Sequence, residues 1–67
     1  MYRAAIFVYG NQTGVVEIHY CDETLNGVSR TWYEVWYGLP GHQVRYPTDG
    51  SKSHAEAAHD MLVDALW

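Results

Sequence analysis

Val28-Ser29-Arg30-Thr31-Trp32-Tyr33-Glu34-Val35-Trp36-Tyr37 is the stretch that decides the fold. Its β-branched and aromatic residues read as a strand. A strand alternates its side chains, so Ser29, Thr31, Tyr33, Val35 and Tyr37 share one face. Arg30, Trp32, Glu34 and Trp36 share the other. Burying that second face would bury two charges, at a cost of several kcal/mol unless they pair well. Tyr33, Val35 and Tyr37 are therefore expected to point toward a core. Trp32 and Trp36 are left on the outer face or under a loop.

Working outward, Tyr2–Tyr9 (YRAAIFVY) reads as a strand, weakest at Ala4 and Ala5. Gly10-Asn11-Gln12-Thr13-Gly14 reads as a turn. In Val15–Cys21, Val16, Ile18 and Tyr20 alternate with Glu17, His19 and Cys21, which makes a second strand and a hairpin with the first. Residues 22–27 read as a polar connector ending in Asn26-Gly27, a turn signal. After Tyr37, Gly38-Leu39-Pro40-Gly41 is a turn, and residues 42–46 supply a fourth strand if they join the sheet. Tyr46-Pro47-Thr48-Asp49 has the order of a type I turn, with Gly50 after it. Residues 52–66 predict a helix. Ser53 and Glu56 have capping-box spacing. Ala55, Ala58, Leu62, Ala65 and Leu66 fall on one face with Met61 beside them, and Glu56, Asp60 and Asp64 form an acidic ridge opposite. Strands followed by a helix specify an α+β fold: one domain over residues 1–67, with an antiparallel sheet of three or four strands (about 2–9, 15–21, 28–37 and, as the fourth, 42–46) and one C-terminal helix packed on one face.

Composition narrows the function. Of 67 residues, 48% are hydrophobic and 15% aromatic, a profile opposite to that of disordered chains. Eight acidic residues against four basic ones give a net charge of -4, which argues against direct nucleic-acid binding. A single cysteine, Cys21, cannot form an internal disulfide, and a reduced thiol fits the cytoplasm. No apolar run approaches the roughly 18 residues of a membrane span, and no cleavage-site pattern follows Met1-Tyr2-Arg3. A cytoplasmic location is expected.

Catalytic and metal chemistry find little footing. His54 and His59 are five apart on the expected helix, about 140° around its axis, so they cannot share a metal from one face. A metal site would need His42 or Asp49 to fold over from the loop. Otherwise the four histidines, His19 among them, read as polar surface groups. His19 and Cys21 lie on one strand face roughly 6–7 Å apart, too far for a direct nucleophile–base pair. The glycines form no phosphate loop. No cofactor and no metal are expected, and a small enzyme using Cys21 or a histidine is the least favoured reading. The aromatics are more telling. Tryptophan and tyrosine dominate binding hot spots, and Trp32, Trp36 and Trp67 read either as interface anchors or as closure of a shallow core.

Three resemblances extend this reading. Tyr33-Glu34-Val35-Trp36-Tyr37-Gly38-Leu39-Pro40-Gly41, followed by Thr48, Gly50 and an alanine-containing helix, resembles the N-terminal domain of HicB antitoxins over roughly residues 14–66. That resemblance implies an antitoxin module masking a toxin ribonuclease through the Leu39-Pro40-Gly41 turn and the sheet edge. Gly50-Ser51-Lys52 with Ala55 and Ala58 resembles the final helix of double-stranded-RNA-binding domains. Ser53 and Glu56 stand where that family carries lysines, so only the scaffold is implied. In profile, the short acidic chain is similar to small phage-encoded inhibitors of the anti-CRISPR type. This similarity implies a non-enzymatic protein, a monomer or weak dimer in the host cytoplasm. Its partner would be a basic, nucleic-acid-binding CRISPR effector complex whose DNA-recognition surface it blocks, with no direct contact to nucleic acid or membrane. Glu17, Glu34, Glu56, Asp60 and Asp64 would then supply charge, and Trp32, Trp36 and Trp67 contact area.

Overall fold

A computed structural model describes residues 2–66, Tyr9 by its backbone alone. The elements run β1 (Arg3–Tyr9), β2 (Gln12–Leu25), β3 (Val28–Gly38), β4 (Val44–Tyr46) and α1 (Lys52–Leu66). The four strands form one antiparallel sheet in the order β1-β2-β3-β4, with α1 packed on one face. This is the expected α+β architecture, with the fourth strand present.

Alternation in β2 and β3 builds the core. Val16, Ile18 and Val35 are completely buried, with Ile18 and Val35 directly opposite each other across the two strands. Burying a side chain of this size contributes roughly 1.5–3 kcal/mol. Phe7 from β1 and Ala55, Ala58 and Leu62 from α1 complete the core, and Tyr33, Tyr37, Leu39, Tyr46 and Leu66 pack around it half-buried. Ala55 has no exposed surface, because its small side chain lets the helix backbone approach the sheet.

Strand boundaries depart from the sequence reading in an instructive way. Residues 10–14 are not one loop: Tyr9 pairs with Gln12, so the turn is Gly10-Asn11 and Gly14 lies inside β2 opposite Phe7. A Cβ at Gly14 would collide with the Phe7 ring, so glycine is needed for close approach rather than for a turn. Residues 22–25 are likewise strand rather than connector. Asn26 (φ 52°) and Gly27 (φ 77°) form a two-residue turn with the positive φ values of type I′. That turn matches the strand twist and lets pairing run to Leu25–Val28. Residues 22–31 are exposed, so the hairpin tip is a two-stranded arm, polar because solvent reaches both of its faces. The arm contributes to a long dimension of 47 Å, against 23 and 17 Å for the others.

The helix cap also differs. Ser51, not Ser53, caps α1: its hydroxyl accepts from the His54 backbone N–H at 3.3 Å. Ala65 is exposed, and His59 takes its place in the buried stripe. On the wheel, His59 lies nearer than Ala65 to the centre of the stripe that runs through Ala55, Ala58, Leu62 and Leu66.

Candidate functional site

The helix covers one face of the sheet and leaves the other open. Odd positions of β2 and even positions of β3 line the open face, in the register Glu17–Trp36, His19–Glu34, Cys21–Trp32 and Glu23–Arg30. At its centre Trp32, Glu34 and Trp36 alternate on one strand. The Trp32 indole N–H donates to Glu34 Oε2 at 2.8 Å, and the Trp36 indole N–H donates to Oε1 at 3.1 Å. One carboxylate therefore fixes both rings, each half-buried. The indole bond from Trp32, then that from Trp36, holds the Glu34 carboxyl below its usual range against the opposing effect of desolvation. Arg45 of β4 (3.9 Å away) and His19 add smaller electrostatic support.

Around this centre, His19 Nε2 meets Glu17 Oε1 at 3.2 Å, and the Arg30 guanidinium lies over the Trp32 ring, 4.7 Å from its centroid. A recess of about 350 Å³ opens beside Trp32, lined among others by Arg30, Glu34, Arg45, Thr48 and Gly50. Three carboxylates on this face (Glu17, Glu23, Glu34) stand against two guanidiniums (Arg30, Arg45), so it is only mildly acidic. Sequence reading placed Arg30 on this face without counting it among the site residues, and it missed Arg45. Arg30 was legible from its period-two placement, whereas Arg45 depends on the pairing of β4 beside Trp36.

The expected site residues do not form one surface. Glu17, Trp32, Glu34 and Trp36 gather on the open face. Glu56, Asp60 and Asp64 stand on α1, across the sheet. Their ridge is also partly neutralised within the chain: Arg3 of β1 reaches Glu56 at 3.0 Å and Asp60 at 3.8 Å. The Tyr2 hydroxyl also donates to Glu56 at 3.4 Å. Asp64 is exposed near the end of the helix. Trp67 lies outside the described residues.

Burial first, then the neighbouring Glu34 and Asp22, pushes the Cys21 thiol up, the opposite of what activates a thiolate. The thiol points to the His19 backbone carbonyl at 4.0 Å rather than to the imidazole. Asp49 does fold over to His54, with Oδ2 2.6 Å from Nδ1. Its other oxygen accepts from the Ser51 backbone N–H at 2.9 Å and the Ser51 hydroxyl at 2.8 Å. Those Ser51 bonds, then the one from His54, hold Asp49 at about 2. The cluster anchors the helix start: Asp49 bridges serine and histidine, so the imidazole is not placed to deprotonate Ser51. His59 is not a surface histidine. It is 5% exposed, its Nδ1 lies 3.2 Å from Asp60, and its Nε2 has no hydrogen-bond partner among the described residues. Among those residues no three histidine, cysteine or acidic side chains converge as metal ligands. None of their helices is long and apolar enough to cross a membrane. Compared with protein-family models, curated proteins and solved structures, the chain gives no significant match.

Proposed function

We propose that the chain is a non-enzymatic inhibitor that covers a basic, nucleic-acid-binding surface of a host complex, in the manner of an anti-CRISPR protein, and that it docks through the open face of its sheet. The observation that carries this reading is the Trp32–Glu34–Trp36 clamp. Two large rings are locked in place by one ionised carboxylate on the face that the helix does not cover. Rigid aromatics lose little entropy on binding and anchor interfaces. A carboxylate held ionised between them suits an arginine or lysine of the partner. With three acids against two bases on this face, aromatic contact supplies affinity and charge guides approach. The helix ridge, already engaged by Arg3, is secondary.

The test is competition with target DNA for purified CRISPR effector complexes, with salt varied. Binding should weaken as salt rises. Trp36→Ala should weaken it by roughly tenfold or more, as for an interface anchor, and Asp64→Lys should do little. Absence of binding at low salt, or unchanged affinity in Trp36→Ala, would remove this reading. The antitoxin alternative places the contact at Leu39-Pro40-Gly41, where Leu39 packs against the core while Pro40 and Gly41 are exposed. Capture of a toxin ribonuclease, lost on changing Pro40 but not Trp36, would favour it instead.

A further inference from the structure

The two edges of the sheet are built differently. β4 is three residues long and lies between Pro40 and Pro47, so it offers little backbone for pairing. The free edges of the hairpin arm carry Asp22 and Glu23 on β2, and Arg30 on β3. β1 has no such protection. It spans seven residues, Arg3–Tyr9, in continuous register with β2, without proline, bulge or any charge after Arg3. Ile6 and Val8 are 65% and 68% exposed on the open face. No described strand pairs with its outer side. An apolar sheet edge that no described strand covers is a template for strand addition.

We infer that β1 is a self-association edge, and that its occupant is β1 of a second copy, paired antiparallel about a two-fold axis at Ile6. The sequence of the strand supports this occupant. Full overlap of the seven residues places Ile6 opposite Ile6, Ala4 opposite Val8, Ala5 opposite Phe7 and Arg3 opposite Tyr9 of the other copy. Each such pair has equal parity, so both open faces stay on one side and both helices on the other. The open-face row across the junction is then Ala4, Ile6 and Val8 from each copy, apolar throughout. The two Arg3 residues fall at opposite ends of the paired strands and do not meet. The junction extends the four-stranded sheet to eight strands while leaving the Trp32–Glu34–Trp36 clamp free. About 24 Å of paired strand buries less than a standard interface, so the dimer forms reversibly.

Salt separates this association from docking on a basic partner. Two copies of net charge -4 repel, so screening strengthens the dimer, while it weakens capture of a basic groove. Sedimentation across micromolar to millimolar concentrations at low and high salt tests the inference. The intact chain should dimerise, more strongly at high salt. Ile6→Lys sets two ammonium groups across the axis and should weaken the dimer by roughly tenfold or more, since like charges directly opposite repel. Val8→Lys, a second exposed position, should act in the same direction, and Trp36→Ala should leave the dimer intact. Circular dichroism verifies that each variant is folded. A chain monomeric under all conditions overturns the inference. So does a dimer that survives both lysine variants, loss of the dimer in Trp36→Ala, or a monomer that takes up another protein's strand at β1.

Discussion

The two faces of the sheet are drawn from the same strands and do opposite work. On the covered face Val16, Ile18 and Val35 have lost all contact with water and are held by apolar burial alone. One residue along each strand, Glu17, Glu34 and Trp36 stand half-buried on the open face, where Trp36 bonds to Glu34, Arg45 lies near Glu34, and Glu17 pairs with His19. Burial without direction stabilises the chain. Directed bonds at a partly wet surface add little stability but hold side chains in a defined arrangement. Stability thus rests on one parity of β2 and β3, and the docking we propose rests on the other.

The sharpest way to break this division is to empty the covered face. Ile18→Ala removes a fully buried side chain opposite Val35 and should cost about 2–5 kcal/mol, read as a lower urea midpoint. If Trp36→Ala cost as much, the open face would be core and the division would fail. A smaller effect belongs to Glu34→Gln, which leaves one indole facing an amide N–H₂ instead of a carboxylate oxygen. It should cost about 1 kcal/mol at neutral pH. Because the Glu34 carboxyl lies below its ordinary 4.5, its contribution is complete above that value and fades as pH falls through the lower folded value. The stability gap between wild type and Glu34→Gln should therefore close in acid, and a gap constant with pH would mean that ionisation of Glu34 is irrelevant to the clamp. Asp49 also titrates low, at about 2, but is common to both proteins and cancels in the difference. The smallest effect is expected at the arm. Leu25 is 64% exposed, and Leu25→Ser should change stability by no more than about 0.5 kcal/mol. A larger loss would show that the arm packs against more than its own hairpin.

Much of the fold was legible because it rests on periodicity. The two charges among Arg30, Trp32, Glu34 and Trp36 correctly predicted which face of β3 is buried. The turns were harder. Glycine at 14 looks the same in sequence whether it bends the chain or makes room for Phe7, and only the pairing of β1 with β2 distinguishes the two. Asp22–Leu25 reads as a connector because polar strands and polar loops share a composition, whereas the type I′ turn at Asn26-Gly27 carries the ladder outward. Half of the candidate site was legible too: Trp32, Glu34 and Trp36 share a face by parity alone. That Glu34 binds both indoles depends on rotamers, and that Arg45 joins it depends on the pairing of the three-residue β4 with β3.

By itself, the sequence determined the α+β class, the helix, the covered face and the concentration of aromatics in β3, since each follows from local propensity and the periods of two and 3.6. Tertiary structure alone decided that the acidic ridge and the tryptophan face lie on opposite sides of the sheet, that Arg3 crosses to Glu56, and that His59 is buried. Those outcomes depend on which elements become neighbours, and contacts between residues more than fifty positions apart leave no local pattern to read.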